Sequence, residues 1–528
     1  MQANLKALVV VLAIALVVYR LLQPLCLPFM TLEAFRRRRN VWLGLTVVAF
    51  LSPSFWIYAI VAMVVLYRAG KADENPVALY LWMLHLIPPV AVYIPGLGIN
   101  ALFELSQYRI LALFVLLPAA LRVSRFGDPA LRRFTLGDVL LLAYGILQVA
   151  LFVPYQTSTH ILRLTFLYAL DVMLVFYVCS RYCVTRALMK EVLAALCLTC
   201  AVMAALAVFE ALRGWLLYQG LPISWGVPIL WAFLMRGNSV RAQVSAGHAL
   251  TLGFMFAIGL TAWLYLSSHF RSLWIRLGGS LWMWAGLLAS NSRGPWLTAV
   301  AAMLTYSALG PSAGRRLMYM LGGCTVALIG LLLLPGGAQL LDSLPFIGSA
   351  EQGNVEYRQQ LALVSWRVIW QNPLLGSPFA LAQLEELRQG QGIIDLVNAY
   401  ISIALFYGFV GLGLFTGFFV IALAAAQLAS RAVKHRDTDL ALMGVCLVAG
   451  TVATMFMLAT VSFIGAMAQF SWILCGLCAA YAKIRFTEPR LTMAPEPVSP
   501  RPSRLAYRPV TSRAAGHALP ADDVPEGG

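Results

Sequence analysis

Three arginines beside apolar segments are the residues of this chain best suited to chemistry: Arg241, Arg293 and Arg358. A guanidinium is planar and permanently charged, so its N–H groups match phosphate oxygens in a bidentate manner. An arginine at membrane depth costs roughly 3 kcal/mol on insertion scales, and an anionic partner would offset that cost. We therefore expect these arginines to bind a diphosphate. The alternative for each is a structural role, either reaching water or pairing with a nearby acid.

Arg293 has the most informative local sequence, Ser292-Arg293-Gly294-Pro295. Proline suits the first turn of a helix, and the free N–H groups of a helix N-terminus favour anions. We therefore expect an anion site at this turn. Four further residues are predicted to bind substrate around it: Arg236, Arg388, Asn398 and Tyr400.

A transfer reaction also needs a base, and the candidates are His248, Asp395 and Glu356. An imidazole titrates near neutrality, and a positioned carboxylate can accept a proton from a hydroxyl group. Each candidate also has a structural interpretation. His248 could be a packed interfacial histidine, Asp395 a helix N-cap, and Glu356 the ion-pair partner of Arg358.

Three charged residues within apolar segments are predicted to form a buried ionic network, namely Arg109, Asp171 and Glu210. A charge is buried in apolar surroundings only where it is paired and hydrogen-bonded. Such a network would be either structural or part of the path of a polar substrate.

The composition places all these residues in a membrane protein. Hydrophobic residues make up 61% of the chain and charged residues only 11%, whereas soluble domains carry about 25% charged residues. The net charge of +16 comes from Lys and Arg in short connectors between apolar segments, which excludes a nucleic-acid-binding interpretation. The sequence lacks a Walker A motif, so no nucleotide cofactor is predicted.

Apolar segments of about 20 residues predict the membrane-spanning helices. The run 41–67 is interrupted at Ser52-Pro53-Ser54 and predicts either one long helix or two short ones, and a cytoplasmic position of Arg36 to Arg39 favours two. The remaining predicted helices lie over 5–24, 76–94, 105–122, 134–154, 160–179, 188–213, 243–266, 273–290, 294–310, 316–335, 397–424, 438–459 and 464–482.

Clusters of Lys and Arg predict which connectors face the cytoplasm, among them Arg36 to Arg39 and the cluster of Arg181, Arg186 and Lys190. By this rule three connectors face outward, over about 215–243, 290–295 and 335–396. The last is the longest, and long loops between helices are usually functional. The predicted membrane domain spans residues 1–482, and the proline-rich residues 483–528 predict a disordered cytoplasmic tail.

Three sequence motifs in the outward connectors together resemble a known family. The first is Arg241-Ala242 followed by Gly247-His248, and the second is Ser292-Arg293-Gly294. The third runs from Tyr357-Arg358 through Asn372-Pro373-Leu374-Leu375-Gly376 to Gly408-Phe409-Val410-Gly411. Over about residues 236–415 the chain resembles the superfamily of O-antigen ligases and polysaccharide polymerases. The family's proline after the histidine is absent, since Ala249 follows His248.

This resemblance implies an all-α, polytopic inner-membrane glycosyltransferase. It would have about 12 to 14 transmembrane helices, a GT-C-like fold and one large periplasmic loop over the active site. Its substrate would be an undecaprenyl-diphosphate-linked glycan held in membrane lipid. Because the carrier already activates the sugar, the reaction needs neither a metal nor another cofactor. A chain-length regulator is a further implied partner, and nucleic acid is not.

One departure from the family bears on the acceptor. Ligases of the superfamily usually open the helix after the loop with His-Asn, and here the pair is Val397-Asn398. Valine cannot accept a proton, so we expect polymerisation of lipid-linked repeat units. The alternatives are a ligase that transfers the glycan to lipid A core or protein, and, in another class, a lipid-linked glycan flippase or transporter.

Overall fold

The computed structural model describes residues 2–96, 99–126, 133–228, 234–236, 239–311, 313–315, 318, 323, 352–389 and 392–493. Three predictions fall largely outside these residues. They are the helix over 316–335, of which only Met318 and Gly323 are described, the first part of the loop up to residue 351, and the tail beyond residue 493.

Among its described residues the N-terminal half contains ten helices, several of which continue directly into one another. These are α1 (Gln2–Cys26), α2 (Leu32–Leu51), α3 (Phe55–Ala72), α4 (Pro76–Met83), α5 (Gln107–Leu111), α6 (Leu117–Phe126), α7 (Leu136–Phe152), α8 (Ser158–Tyr168), α9 (Leu174–Tyr182) and α10 (Arg186–Arg213). Single π-helical turns, Ala112–Leu116 and Ala169–Met173, join α5 to α6 and α8 to α9.

The C-terminal half carries the predicted site. Its helices are α11 (Gly220–Ser224), α12 (Ala249–Leu266), α13 (Leu273–Ala289), α14 (Arg293–Leu309), α15 (Gln352–Ile369), α16 (Ala399–Val433), α17 (Thr438–Thr460) and α18 (Met467–Met493). Short 3-10 turns lie at Val244–Ala246, Ser267–His269 and Ala380–Leu387. Helix α18 continues to Met493. Residues 483–493 are therefore helical, although the sequence predicted that they are disordered.

The interruption at Ser52-Pro53-Ser54 separates two helices, α2 and α3, which decides between the two interpretations of 41–67. Pro53 has no N–H group with which to continue α2. The hydroxyl of Ser54 then caps α3 by accepting a hydrogen bond from the backbone N–H of Ile57.

The prediction of one helix over 76–94 is wrong in its second half. Helix α4 ends at Met83, and Pro88, Pro89 and Pro95 prevent a helix from continuing. Two antiparallel strands follow instead, β1 (Ala91–Gly96) and β2 (Ile99–Ser106). A smaller hairpin pairs β3 (Met235–Arg236) with β4 (Ser239–Val240). Both hairpins are small, and the protein is an all-α, polytopic membrane protein.

Within the described residues, nine helices are long and apolar enough to cross a membrane. Three of them form the middle of the helix bundle, because 83% of the apolar window in α10, 89% in α12 and 83% in α17 is buried inside the protein. In α1 that share is only 33%, so most of its apolar surface faces outward. The central helices α12 and α17 therefore give the adjoining outer connectors a rigid support.

Helix α16 is interrupted at Gly408, where the backbone adopts φ +64° and ψ −167°, a region essentially reserved for glycine. The motif around Pro373 packs into this interruption. The carbonyl of Pro373 accepts a hydrogen bond of 2.7 Å from the N–H of Phe409, and that of Leu374 accepts one of 3.1 Å from Val410. A Cβ at position 408 would lie 2.2 Å from the carbonyl oxygen of Leu374. Two separate parts of the third motif therefore fix the loop to α16.

Candidate active site

The turn between α13 and α14 is held by arginines from the connector that precedes α12. Arg241 Nη2 donates a hydrogen bond of 2.7 Å to the hydroxyl of Ser292, and Arg236 Nη1 donates one of 3.0 Å to the carbonyl of Asn291. Ser292 in turn donates to the carbonyl of Ser290 at 2.8 Å. The hydroxyl of Ser292 makes no capping bond to α14, which begins at Arg293. Three predicted arginines thus meet at one turn.

Strained backbone conformations occur in the turn before α14 and in the connector that carries Arg241. Among the described residues, positive φ outside glycine occurs at Val244, with φ +46°, and at Asn291, with φ +44°. For a β-branched residue such as valine this conformation is a true outlier. One lies just after Arg241 and the other just before Arg293. Strained backbone persists only where surrounding structure enforces it, and it concentrates at functional sites.

A buried carboxylate enforces the strain at Val244. Glu210, in α10, is 0% exposed and accepts three hydrogen bonds from backbone N–H groups: Leu217 at 2.8 Å, Gln243 at 2.9 Å and Val244 at 2.9 Å. The sequence analysis placed Glu210 in an ionic network, which is wrong. It acts instead as an anchor for the connector that carries Arg241. An acid within an apolar segment was the signal, but its backbone partners could not be predicted.

The long loop and the helix after it converge on the C-terminal end of α17. Arg358 Nη2, in α15, donates a hydrogen bond of 3.2 Å to the carbonyl of Thr460. Asn398 Nδ2 donates one of 2.9 Å to the carbonyl of Ala459. A Cβ at Gly294 would lie 3.3 Å from Thr460 Oγ1, so the Ser292-Arg293-Gly294 turn packs against the same residue. The second and third motifs therefore meet at Thr460.

Asp395 lies next to this meeting point. The hydroxyl of Tyr357 donates to the backbone carbonyl of Asp395 and accepts from its N–H, both at 3.0 Å. Partial covering of its carboxyl group raises the pKa of Asp395, and the positive charge of Arg358 opposes that rise. Because the residue is exposed overall, we expect a modest net increase. Asp395 does not cap α16, so that structural interpretation is wrong.

Asn398 is the N-cap of α16, and its side-chain oxygen accepts hydrogen bonds from the N–H groups of Tyr400 and Ile401. The hydroxyl of Tyr400 donates to the carbonyl of Met455 at 3.0 Å. Val397 packs against an apolar cluster that includes Leu361. The contacts of Asn398 and Tyr400 thus orient the start of α16 against α17.

His248 caps α12 through its ring, because Nδ1 accepts a hydrogen bond of 3.1 Å from the N–H of Leu250. Burial and the nearby charge of Arg241 lower the pKa of His248 to about 4, so the ring is neutral near pH 7. In a neutral ring whose Nδ1 accepts, the proton resides on Nε2. This geometry makes His248 a hydrogen-bond donor and argues against its predicted role as the base.

Two other predicted residues lie in the loop. Glu356 is exposed on α15. Arg388 donates two hydrogen bonds of 2.6 Å to the carboxylate of Glu385 and one to the carbonyl of Gly392. Both residues of this exposed pair lie in the loop. Roles for Glu356 and Arg388 in the reaction stay predictions.

Arg109 and Asp171, the other two members of the predicted ionic network, form an ion pair. Arg109 Nη2 lies 2.9 Å from Asp171 Oδ2, and its Nη1 lies 3.0 Å from Glu104 Oε2. Glu104 belongs to β2, a strand that the sequence analysis did not predict. The hairpin therefore supplies a second carboxylate to this arginine.

These features define a multi-pass membrane protein whose strained arginine-bearing connectors meet a long loop at the end of a central helix. Residues 278–416 match the family model described as O-Antigen ligase, which confirms the resemblance to the O-antigen ligase and polymerase superfamily. The matched range includes Arg293, Arg358 and Asp395, whereas Arg241 and His248 precede it. The family supports a glycosyltransferase-like activity on lipid-linked sugars, in glycan ligation or polymerisation. No match to the chain was found among curated proteins.

Proposed function

We propose that the protein polymerises lipid-linked oligosaccharide repeat units into a surface polysaccharide or exopolysaccharide at the periplasmic face of the inner membrane. The donor is a glycan on undecaprenyl diphosphate, and the acceptor is a hydroxyl group at the nonreducing end of another repeat unit. The observation that carries this proposal is the arrangement of Arg241, Arg293 and Arg358. Their motifs adjoin one another through Ser292 and Thr460.

In this mechanism the arginines stabilise the leaving group. The acceptor hydroxyl oxygen attacks the anomeric carbon of the donor, and the bond from that carbon to the diphosphate oxygen breaks. Undecaprenyl diphosphate leaves with the electron pair, and the guanidinium groups of Arg241, Arg293 and Arg358 neutralise its charge. Fixed charges aimed at a developing anion are usually the largest contribution to such catalysis.

Asp395 is the base that best fits the described geometry. It receives the proton of the acceptor hydroxyl as the new glycosidic bond forms. Its raised pKa makes it a better proton acceptor near neutrality than an ordinary aspartate. Arg358, whose charge affects this pKa, would couple the base to the diphosphate site. His248 is less suitable as a base, since its Nδ1 already accepts a hydrogen bond from the N–H of Leu250, and Glu356 stays an alternative.

The residue at position 397 supports polymerisation over ligation. Val397 packs against the apolar cluster formed by the loop and α16, where ligases of the superfamily place a histidine. A ligase-type base is therefore missing from the start of α16. Ligation of the finished glycan to lipid A core or protein remains the second candidate, because it would use the same donor site.

The test is the glycan profile of a deletion strain complemented with wild type, Arg293→Ala or Arg367→Ala. Arg367 is a suitable control because it is an exposed arginine of α15, 3.8 Å from Glu386. We expect the deletion strain and Arg293→Ala to accumulate single repeat units on the carrier at the periplasmic face. Arg367→Ala should restore the polymer.

Two other profiles would contradict polymerisation. Full-length polymer retained on the carrier would identify a ligase. Single units retained at the cytoplasmic face would identify a flippase. Restoration of normal polymer by Arg293→Ala would exclude Arg293 from the reaction.

A further inference from the structure

A cavity of about 320 Å³ lies beside the proposed diphosphate site, and the transfer step described above leaves it unused. The end of β2, the start of α5, the cap of α12 and the start of α18 surround it. Its polar lining consists of Glu104, Ser106, Tyr108, Arg109, His248 and Gln469. The volume is at the lower end of the range of about 300–1,000 Å³ that is typical of small-molecule sites.

Two of the lining side chains carry polar atoms whose hydrogen-bonding needs the described part of the chain does not meet. They are Gln469 Oε1 and Tyr108 OH. Gln469 is 7% exposed and Tyr108 is 9% exposed. Leaving a buried polar atom unsatisfied costs about 1–3 kcal/mol. Both side chains line the cavity, and a polar ligand bound there would complete their hydrogen bonds after a small side-chain rotation.

The charges around the cavity indicate which ligand fits. Arg109 pairs with both Glu104 and Asp171, so this group of three carries one excess negative charge. An anionic group would be repelled there. Hydroxyl groups, which both donate and accept, suit a lining with carboxylate acceptors, guanidinium and His248 Nε2–H donors, and an amide.

We propose that this cavity binds an uncharged sugar ring of the lipid-linked glycan, with Gln469 and Tyr108 as hydrogen-bonding residues. The proposal rests on the proposed function, because it assumes a glycan substrate at the neighbouring arginines. His248 lies between the cavity and the proposed diphosphate site, since it lines the cavity and lies close to the charge of Arg241. Either the donor sugar attached to the diphosphate or the terminal sugar of the acceptor would satisfy this chemistry.

The test measures binding to the purified full-length protein in detergent, by microscale thermophoresis. The probes are undecaprenyl diphosphate, the lipid-linked repeat unit extracted from the deletion strain, and the free oligosaccharide released from it by mild acid. The variants are Gln469→Leu and Tyr108→Phe. Gln427→Leu is the matched control, because Gln427 Oε1 in α16 is likewise buried without a partner among the described residues.

We expect Gln469→Leu and Tyr108→Phe to weaken binding of the lipid-linked repeat unit about tenfold and to leave binding of undecaprenyl diphosphate within twofold. A tenfold loss corresponds to one or two hydrogen bonds. Neither variant should lower the melting temperature, because each removes an unsatisfied buried atom. Competition by the free oligosaccharide would assign the cavity to the acceptor, and lack of competition would assign it to the donor sugar.

The failure of this proposal can be distinguished from the failure of the proposed function. Unchanged binding of the lipid-linked repeat unit by Gln469→Leu and Tyr108→Phe would overturn the sugar site. Equal affinity of the wild type for undecaprenyl diphosphate and the repeat unit would also overturn the sugar site. It would remain consistent with the proposed diphosphate site. If the wild type bound neither lipid probe, both proposals would be wrong.

Discussion

Arg241 and Arg358, two of the arginines proposed to bind the diphosphate, have different kinds of described contacts from two buried arginines at the predicted cytoplasmic end, Arg38 and Arg181. At the predicted cytoplasmic end, Arg38 is 0% exposed and lies 2.6 Å from Asp73 and 2.9 Å from Glu191, and Arg181 lies 2.8 Å from Asp138. At the predicted outer end, Arg241 contacts the hydroxyl of Ser292 and Arg358 contacts the carbonyl of Thr460.

We expect this difference to separate a structural role from a functional one. A carboxylate cancels the charge of the guanidinium that it contacts, and the buried pair then becomes part of the fold. A hydroxyl or carbonyl oxygen orients the guanidinium without cancelling its charge. Orientation with retained charge is what the binding of a diphosphate requires. The comparison therefore predicts opposite consequences for removing an arginine at either end.

The largest expected effect is on stability, at the cytoplasmic end. Arg38→Ala removes the closest cation from Asp73 and from Glu191, while Arg37 stays 3.6 Å from Asp73, and we expect a loss of about 3 kcal/mol in the free energy of unfolding. Thermal unfolding in detergent measures it, with Arg36→Ala as the exposed control from the same helix. A melting temperature of Arg38→Ala equal to that of the control would show that the ion pairs are not structural.

The next effect is on activity, at the outer end. Arg241→Ala should reduce polymerisation about 10²–10³-fold, as the loss of one charge-stabilising donor typically does. Its melting temperature should fall much less than that of Arg38→Ala, because the arginine is only half-buried. The rate of polymer formation from extracted lipid-linked repeat units is the measurement. Activity of Arg241→Ala within threefold of the wild type would show that Arg241 has no important role in the reaction.

A smaller effect concerns the pH dependence of the rate. The charge of Arg358 lowers the pKa of Asp395, so Arg358→Ala should raise that pKa. A base must be deprotonated to act, and the acid limb of the pH–rate profile should therefore move to higher pH. Arg367→Ala is the control and should leave the limb in place. An acid limb unchanged by Arg358→Ala would show that Asp395 is not the base coupled to this arginine.

The smallest effect concerns the stability contributed by His248. Its folded pKa of about 4 lies below the ordinary 6.5, so the unfolded chain binds more protons between these pH values. Stability attributable to His248 should decrease as the pH falls through this window, by at most about 1.4 kcal/mol per pH unit. His248→Asn keeps a side-chain oxygen for the cap and should reduce the difference in melting temperature between pH 7.5 and pH 5.5. An equal difference in wild type and variant would refute the buried, neutral imidazole.

Much of the site was predictable because its residues lie in a recognisable order along the chain. Arg241, Arg293 and Arg358 could be selected because a permanent charge next to an apolar segment needs an anionic partner, and the match over residues 278–416 confirms the family resemblance. Pro53 marked the place where the run 41–67 could break, and the structure shows that α2 ends just before it. The motif around Pro373 was visible, but its contact with Gly408 was not, because the two segments are distant in sequence.

By itself the sequence determined a multi-pass helical membrane protein, because a low density of charge and long apolar segments leave the backbone few alternatives in lipid. It also determined which residue types could bind a diphosphate. Only the tertiary structure decided that Glu210 anchors Val244 instead of joining Arg109, and that the ring of His248 caps α12. These roles depend on which backbone atoms approach a side chain from elsewhere in the fold. Periodicity and composition cannot specify such contacts, since they arise only when distant segments pack together.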